Sequence, residues 1–549
     1  MNATRTQTQK IIVVKNVSDT FGVKLTHNRG NLLLVEGGRN PVSVRESELS
    51  AATAGKQVSE VDAKGGVLLP GYNNCHYHTL YALLEFFKPI YSIFGKTSKQ
   101  EVLDALRADV PSVKEMGKGL ILAYGLNTVK VQDLTREDLD AIERDVPMIV
   151  FDPSYHGAVV NTAALRLIDQ KARIREQEGL QVSGECRANG QLTADYVFLG
   201  FTLMDDIFGS NVYDAAQKEA DVIYAWMKEQ VKIGITRMHE MFVVTPAHAF
   251  AIILAAVKWE QEMGIAFPIE KMYVKPEVLK SIFTNPEYRE ISTHINLQIG
   301  NGNIGIKLLA DGSFGSYTAL LSDPYLDLPT SGSIVDSESK CDSAILLARM
   351  LGITDIRMHA IGDAGIKFAL RVMESARSQL GPRASLGIEH FELSGSPGIL
   401  SRTADLGVRV CSQPNFEEDV INYAGRLGGR VSRINPHRLI LVKGIPLITG
   451  DDGMPASALG TIHNFTHHPV ASQRLHLEEA VAIASRTHEL TRTSDVVDGL
   501  MIVTPEAFSR LSSRGKTEEQ IRAEMSNIWG ASVEFNRAVT HVMISGQVM

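Results

Sequence analysis

The chain has 549 residues, of which 44% are hydrophobic and 21% charged, as is usual for a globular protein with a large core. Its 63 acidic and 55 basic side chains give a net charge of −8, which argues against nucleic acid or an anionic membrane as a partner. Neither an apolar leader nor a run of about 18 apolar residues is found, so we expect a cytoplasmic protein without a membrane partner. Its four cysteines match no CxxC pattern or disulfide framework, and we expect reduced thiols.

The two ends of the chain are predicted to form one small β domain. Residues 1–66 contain short apolar runs, Ile11–Val14 and Leu32–Glu36, that are broken by Asn, Gly and Pro. Such runs are typical of a β-meander. Residues 486–549 end on a run with similar strand character, Val539–Met549. We therefore expect the two terminal segments to combine into a composite β-sandwich.

Between these ends, residues 67–485 alternate strands with amphipathic helices, a pattern that predicts parallel β/α units. Eight β/α units indicate a TIM-type (β/α)8 barrel, whose chemistry lies at the C-terminal ends of its strands. The eight predicted strands, in order, are Val67–Tyr72, Ile233–His239, Ile265–Tyr273, Ile304–Ala310, Asp355–His359, Leu386–His390, Val408–Ser412 and Ile445–Thr449.

The long interval after the first predicted strand, at about residues 80–230, indicates a large helical insertion. Ser98–Glu101 and Thr135–Asp138 both match the capping box that begins a helix. Pro147–Phe151 is the one strand that we predict here, and we assign it to the insertion. Aromatic residues near its start either line a substrate pocket or belong to the core; these are Phe86, Phe87, Tyr91 and Phe94.

Residues able to bind a metal follow or end several of the predicted strands. His76 and His78 stand two residues apart, and in an extended segment both imidazoles would face the same side. His359 and His390 end the fifth and sixth strands, and Asp452 follows the eighth. Each alone has an ordinary explanation, as a core histidine or a turn residue. Their joint occurrence at one barrel mouth predicts a metal site.

Lys307 lies within the apolar fourth strand, in the run NIGIKLLADGS. An unpaired ammonium is costly to bury unless its pKa falls or it finds a partner. A neutral lysine can take up carbon dioxide and become a carbamate, whose two oxygens could bridge two cations. The alternative is that the side chain of Lys307 extends to the surface.

Three segments resemble a known family. GIKLLADGSFGSYTALLSDPYLD, MHAIGDAG and SYHGAVVNTAAL are similar to amidohydrolase family 3 of the amidohydrolase superfamily, which includes N-substituted formamide deformylases. The resemblance covers roughly Val67–Gly460. It implies a metal-dependent hydrolase barrel with an insertion after the first strand and a composite β-sandwich from the two ends.

The same resemblance implies roles for the metal-binding candidates. His76 and His78 would bind one metal, and His359 and His390 a second. Lys307 would be a carbamylated ligand that bridges the two ions. The expected cofactor is therefore a divalent metal, with zinc as the first choice, present as one or two ions.

Catalytic roles follow from the resemblance in the same way. Asp452 would contact metal and act as the base, although the eighth-strand motif here reads Gly-Asp-Asp instead of Gly-Ser-Asp, so Asp451 is an alternative. His156 would lie on the substrate side of the site, or else be an ordinary loop histidine. Asp311 matches a recurring aspartate whose role could be purely structural. A further departure is the Asn73-Asn74-Cys75 run before His76, where the family usually has an aspartate.

Together these features predict hydrolysis of a C–N bond, in an amide or formamide-like group of a small organic substrate, by metal-activated water. The chain contains no GxSxG, P-loop or dinucleotide-binding motif that would supply other chemistry. The alternatives are a deaminase or lyase on the same metal scaffold, or a catalytically silent barrel-fold binding protein. A homodimer is the default expectation for an oligomer.

Overall fold

The structure is a computed structural model that describes residues 10–25, 32–36, 39–128, 130–177, 182, 188–193, 195–486, 499–545 and 547–549. The strands within these ranges are β1 Lys10–Lys15, β2 Asp19–Thr20, β3 Leu32–Val35, β4 Val42–Val44, β5 Gln57–Asp62, β6 Val67–Pro70, β7 Tyr72–Tyr77, β8 Ile121–Tyr124, β9 Met148–Phe151, β10 Gly157–Val160, β11 Gln191–Thr193, β12 Ile235–Val243, β13 Ile269–Val274, β14 Ile304–Leu309, β15 Asp355–Ala360, β16 Ser385–His390, β17 Arg409–Ser412, β18 Leu447–Thr449, β19 Gly499–Val503, β20 Val539–Ile544 and β21 Gln547–Val548.

The α-helices in the same ranges are α1 Leu49–Ala52, α2 Leu80–Phe86, α3 Lys99–Glu115, α4 Arg136–Asp140, α5 Thr162–Gln177, α6 Asp195–Phe201, α7 Leu203–Phe208, α8 Val212–Lys232, α9 Pro246–Met263, α10 Pro276–Thr284, α11 Arg289–Gly300, α12 Glu338–Leu351, α13 Asp363–Leu380, α14 Pro397–Asp405, α15 Asp419–Asn422, α16 Ala424–Leu427, α17 His437–Val442, α18 Ala458–His467, α19 Leu477–Ala484, α20 Pro505–Arg510, α21 Glu518–Met525 and α22 Ile528–Ala538. Within the described ranges, each of these helices is too short or too polar to cross a lipid bilayer.

A parallel barrel sheet forms the centre of the molecule. Its eight strands, counted within the described residues, follow the chain in the order β7, β12, β13, β14, β15, β16, β17 and β18. Every neighbouring pair in this order is parallel, and helices separate successive strands in the chain. The predicted (β/α)8 fold class is confirmed, because seven predicted strands coincide with β12 to β18 within four residues.

The first barrel strand is one strand later in the chain than predicted. The apolar run that we took for it forms β6, which pairs antiparallel with β19 and parallel with β2 in a separate sheet. Gly71 joins β6 to β7, and a Cβ at this position would lie 2.3 Å from Oγ1 of Thr236. The prediction failed because a fully buried apolar run has the same composition in either sheet.

The two ends of the chain meet in two small sheets. One has the strand order β4-β3-β1-β5, and the other has the order β2-β6-β19-β20-β21, so its strands come from both ends. Side chains from both sheets pack into one apolar cluster, which includes Ile12, Leu33, Leu68, Ile502 and Met543. Residues 487–498, in the predicted C-terminal segment, lie outside the described residues.

The insertion between β7 and β12 is mixed rather than purely helical. It contains α2 to α8 together with a sheet in the order β11-β10-β9-β8. Ser98 and Thr135 form the predicted capping boxes at the starts of α3 and α4. We predicted only β9 of the four strands, because strands of three or four residues are too short to show a period.

The cysteines that the structure describes are free thiols in the interior. Cys75, Cys341 and Cys411 are all buried and unpaired with one another. Burial raises the pKa of Cys75 to about 12, so its thiol is protonated at neutral pH. Cys186 lies outside the described residues.

Candidate metal centre

A cavity of about 670 Å³ opens at the C-terminal ends of the barrel strands. The barrel fold places side chains from several strand ends around this mouth. All of the residues that we predicted for the site line this one cavity; they are His76, His78, His156, Lys307, His359, His390 and Asp452.

Four imidazoles meet at the centre of this mouth. His76 lies on β7 and His78 directly after it, and their ring centroids are 5.1 Å apart. His359 on β15 and His390 at the end of β16 have ring centroids 4.4 Å apart. The rings of His76 and His390 are 4.9 Å apart, so the two pairs are in contact.

Asp452 reaches the same centre from the loop after β18. Its Oδ1 lies 2.8 Å from Nε2 of His78 and 3.5 Å from Nε2 of His76. Its backbone has a φ of 57°, in the left-handed region that a non-glycine residue rarely adopts. Backbone strain of this kind concentrates at functional sites, because the surrounding contacts must hold it in place.

Asp451, the alternative to Asp452, points away from the histidines and holds the barrel together. Its Oδ1 accepts hydrogen bonds from Nδ2 of Asn74 at 2.6 Å and from the Gly453 N–H at 2.9 Å, and its Oδ2 accepts one from the Ser457 N–H at 3.1 Å. Oδ1 of Asn74 accepts the Asp451 N–H in return, at 3.1 Å. Asn74 and Asp451 both depart from the family pattern, and they are hydrogen-bonded to each other.

Lys307 is buried among the histidines. Its side chain is 2% exposed, so it does not extend to the surface. Its Nζ has no hydrogen-bond partner among the described residues. Burial lowers the pKa of Lys307, although the carboxylates of Glu389 and Asp452 act in the opposite direction. A buried, unpaired amine is the form of lysine that reacts with carbon dioxide.

The protonation states of three histidines suit metal binding. Burial is the first cause that lowers the pKa of His76, His359 and His390 well below the usual value, and the neighbouring cationic groups lower it further. These imidazoles are therefore neutral at pH 7, which is the form that binds a metal. His78 differs: burial would lower its pKa, but the carboxylates of Asp452 and Glu240 outweigh burial and raise the pKa to about 9.

A buried carboxylate fixes the orientation of His76, and a second buried carboxylate lies near His78. Oε2 of Glu389 lies 2.6 Å from Nδ1 of His76, so the Nδ1–H donates to it and Nε2 is left facing the cavity residue Asp452. Oε1 of Glu240 lies 3.7 Å from Nδ1 of His78. Glu240 also accepts the N–H of Thr79 at 2.5 Å and that of Phe242 at 2.8 Å.

Sequence reasoning missed Glu389 and Glu240, although each carried a signal. Glu389 directly precedes His390 on a strand that is otherwise apolar, and Glu240 follows the predicted second strand. A glutamate at a buried strand position needs a partner, since an unpaired buried charge is costly. The partner was not visible because the residues that meet at the barrel mouth are far apart in the chain.

His156 enters the site from the insertion, in the tight turn between β9 and β10. Its ring centroid lies 4.9 Å from that of His359. Oδ1 of Asp152 holds the turn by accepting the N–H and Oγ–H of Ser154, at 2.9 and 2.8 Å. Burial, and then the charge of Lys307, lowers the pKa of His156 to about 4. A neutral imidazole is thus held beside the predicted metal ligands.

Asp311 supports the site rather than lining it. Its carboxylate accepts the backbone N–H groups of Leu320, Ile361 and Gly362, at 2.8 to 3.0 Å. It thereby ties the loop after β14 to the loop after β15. The ring of His359 is held nearby, because its Nε2 lies 3.1 Å from the carbonyl oxygen of Gly312 and donates to it. Its Nδ1 lone pair is left for a metal.

An aromatic wall, formed mainly by the insertion, covers one side of the cavity. Tyr155 stacks on Tyr124 with ring centroids 4.9 Å apart, and lies 5.8 Å from Tyr81 and 5.7 Å from Phe201. All four residues line the cavity. Of the aromatic residues singled out near the start of the insertion, Phe94 lines the cavity too. Phe86 and Phe87 instead pack against Phe208 in the core, and Tyr91 is 47% exposed.

A family model described as the amidohydrolase family matches residues 59–490. The chain belongs to this family. The resemblance seen in the sequence is thereby confirmed. This amidohydrolase is therefore a member of a family of metal-dependent hydrolases, which use a divalent metal.

Curated relatives of this amidohydrolase span most of its length. The exoenzymes regulatory protein AepA of Pectobacterium carotovorum subsp. carotovorum is 22% identical over 405 residues, which cover 71% of this chain and 80% of AepA. The N-substituted formamide deformylase of Arthrobacter pascens is 21% identical over 398 residues, which cover 70% of this chain and 69% of that protein.

Two solved structures share the fold of this amidohydrolase. An uncharacterized metal-dependent hydrolase from Pyrococcus furiosus superposes with a TM-score of 0.59 at 22% identity, covering 86% of this chain and 93% of the other. The second, from Pyrococcus horikoshii, has a TM-score of 0.60 at 21% identity, with 86% and 91% covered. These similarities support the barrel fold.

The side chains at the mouth of the amidohydrolase barrel fit a divalent metal. Donor atoms of His76, His78 and Asp452 all lie within 4.8 Å of one another. Nζ of Lys307 and Nδ1 of His390 are buried without a hydrogen-bond partner among the described residues. Buried polar atoms are normally paired, so both atoms are free to contact a bound ligand. Imidazole and carboxylate donors together suit zinc and related divalent ions.

Replacing Glu389 with glutamine should weaken metal binding at this centre by about 10–100-fold, the usual cost of losing a carboxylate that orients a ligand histidine. Glutamine keeps the size of the side chain but no longer favours a donating Nδ1–H on His76. The measurement is chelator competition on the metal-free protein. The matched control is Glu374→Gln on α13, because the Glu374 side chain is 57% exposed and does not line the cavity. Equal metal affinity of the two variants would contradict the role of Glu389.

Proposed function

We propose that this protein hydrolyses a C–N bond in an amide or formamide-like group of a small organic substrate. The observation that carries the proposal is the position of Asp452, whose Oδ1 lies within 3.5 Å of both His76 and His78 at a mouth that also holds an unpaired lysine. The relative from Arthrobacter pascens is named an N-substituted formamide deformylase, and this agrees with the proposed bond type.

We assign the metal-holding roles as follows. His76 and His78 would hold one divalent ion, His359 and His390 would hold the other, and Asp452 would contribute a carboxylate oxygen. Zinc is the proposed metal because it suits imidazole and carboxylate donors. When bound, the metal lowers the pKa of a water molecule and polarises the carbonyl that is attacked.

Lys307 completes the ligand set after a covalent change. In its neutral form, Nζ attacks carbon dioxide, an N–C bond forms, and one proton is released, which leaves a carbamate anion with two oxygens. Burial of Nζ without a partner supports this reaction, because the amine keeps its lone pair. The product supplies the negative charge that a pair of divalent cations requires.

Asp452 and His156 move protons and stabilise charge. Asp452, held between His76 and His78, takes the proton of the attacking water and delivers it to the departing nitrogen, first as general base and then as general acid. His156 is neutral at pH 7 and therefore offers an N–H to the oxyanion that develops on the substrate carbonyl. The aromatic wall places an apolar or aromatic part of the substrate beside them.

We propose a cytoplasmic location and a small-molecule substrate for this protein. Three buried free thiols and a net charge of −8 agree with a reducing, cytoplasmic environment and with a small-molecule substrate rather than nucleic acid. We propose a homodimer, the commonest symmetric assembly.

Metal analysis coupled to a hydrolysis screen tests this function. The purified protein should contain at least about one zinc-like ion per chain at the barrel mouth and should hydrolyse N-formyl, N-acyl or cyclic amides that carry an aromatic group. The double variant His76→Ala, His78→Ala should lose that metal and the activity, whereas His541→Ala on β20 should keep both.

Two outcomes would overturn the proposal. Metal without turnover of any amide would favour a deaminase or lyase on the same scaffold. A protein with no metal, unchanged by the double variant, would be a silent binding protein.

A further inference from the structure

A second cluster of histidines lies outside the barrel mouth, on α18, which follows the last barrel strand. His463 and His467 stand four residues apart, so they occupy one face of the helix. Their rings stack with centroids 3.8 Å apart and planes 13° apart. Both side chains are buried, with exposures of 2% and 0%.

A carboxylate from the C-terminal region faces both rings. Oε2 of Glu524, on α21, lies 3.1 Å from Nε2 of His463 and 3.4 Å from Nε2 of His467. His467 is on α18 and Glu524 is on α21, and the chain between these two helices contains β19. The carboxylate therefore joins the barrel to the C-terminal segment.

Hydrogen bonds on the far side of each ring fix which nitrogen faces Glu524. Nδ1 of His467 lies 2.8 Å from the carbonyl oxygen of His463, so the Nδ1–H donates there. Nδ1 of His463 lies 3.2 Å from Oδ1 of Asn464, and its Nε2 is within hydrogen-bond distance of Oε2 of Glu524. Nε2 of both rings therefore faces one carboxylate, and His467 presents a lone pair there, which a cation between the ring and the carboxylate would stabilise.

A cation does stand there. Nζ of Lys516 lies 2.9 Å from Nε2 of His467 and 2.8 Å from Oε2 of Glu524. Lys516 directly precedes Thr517, the N-cap of α21, and its side chain is 22% exposed. The long lysine side chain can therefore turn towards solvent without moving either helix.

We propose that His463, His467 and Glu524 form a second divalent-metal site, separate from the catalytic centre, and that Lys516 holds the cation position when no metal is bound. Two imidazole nitrogens and a carboxylate are a donor set typical of zinc. Donor atoms of the three residues all lie within 4.8 Å of one another. A metal here would fasten α21 to α18 and thus stabilise the attachment of the C-terminal segment to the barrel.

Zinc titration tests this site in the quadruple variant His76→Ala, His78→Ala, His359→Ala, His390→Ala, which lacks the proposed histidine ligands of both barrel-mouth ions. Equilibrium dialysis with elemental analysis should find one zinc ion per chain, and zinc should raise the thermal unfolding midpoint by at least about 2 °C. Adding Lys516→Ala should tighten zinc binding by about tenfold or more, because the competing ammonium is gone. Adding Glu524→Gln should weaken it by at least about tenfold.

Glu519→Gln is the matched control, because Glu519 is an exposed glutamate on the same helix. It should leave zinc binding and the midpoint unchanged. Glu524 is 35% exposed, so its glutamine variant tests the site even if alanine variants of the buried histidines fail to fold. In the otherwise unchanged chain, Glu524→Gln should retain full hydrolytic activity, which separates this site from the proposed catalytic one.

The proposal is overturned if zinc binds with the same affinity to the Glu524→Gln and Glu519→Gln proteins. It is also overturned if the Lys516→Ala protein binds no zinc and is less stable than its parent. The cluster would then be a purely structural network in which lysine is the permanent partner of His467 and Glu524.

Discussion

Replacing Asp452 with asparagine should lower kcat by about 10²–10⁴-fold, the range associated with loss of a positioned general base. Asparagine has the same shape but cannot accept a proton at neutral pH. Its side chain should still fit between His76 and His78, so the thermal unfolding midpoint should change little. Steady-state kinetics on the metal-loaded protein, with metal content measured in the same samples, gives the comparison.

The neighbouring variant Asp451→Asn should show the opposite pattern. Its carboxylate accepts hydrogen bonds from Asn74, Gly453 and Ser457, so an amide NH2 in its place would face at least one donor. Leaving a buried donor unpaired costs about 1–3 kcal/mol of folding free energy. We expect a lower unfolding midpoint with kcat reduced far less than in Asp452→Asn. If Asp452→Asn kept kcat within threefold of the original protein, Asp452 would not be the base.

Replacing Lys307 with methionine should reduce kcat/KM by more than about 100-fold, since losing a ligand costs more than losing the group that orients one. Methionine fills much of the same space in the barrel but offers no amine to carbon dioxide. Short carboxylic acids such as formate or acetate should restore part of the activity, because their two oxygens can occupy the place of the carbamate. The measurement is kcat/KM against the concentration of added acid.

Lys275 provides a matched control, because it is also 2% exposed but is paired with Asp195 at 3.0 Å and with Glu277 at 3.1 Å. Its charged form is stabilised, and its pKa is raised although burial alone would lower it. Lys275→Met should therefore lower the unfolding midpoint, and added carboxylic acids should not change its kcat/KM. An Lys307→Met protein with full activity, or one that no carboxylic acid rescues, would argue against a carbamate at Lys307.

The barrel and its predicted ligands could be read from the sequence because both depend on local signals. β14 and β15 are short buried strands that each carry a candidate ligand, Lys307 and His359, and a helix separates them along the chain. His359 and His390 are at strand ends in the sequence and in the structure alike. The order of strands in a (β/α)8 barrel follows the chain, so strand ends predict the mouth directly.

Other features depend on which segments pair, and this is not a local property. The run that forms β6 is apolar on both faces, and only its pairing with β19 shows that it belongs outside the barrel. Glu389 and Glu240 are defined by partners on other strands. The sequence could not predict the orientation of the Asp451 side chain for the same reason. Its hydrogen-bond partner, Asn74, is 377 positions away in the chain.

The pair formed by Asn74 and Asp451 joins residues that are 377 positions apart in the chain. Beside it, the Asp452 N–H donates to the carbonyl oxygen of His76 at 2.9 Å, and a Cβ at Gly450 would lie 2.4 Å from the Cβ of His76. Contacts of such long range form late in folding, because the intervening chain must first become ordered. During synthesis, a chain whose eighth barrel strand has not yet left the ribosome therefore presents His76 and His78 without Asp452. The proposed catalytic site is complete only when the first and last strands of the barrel meet.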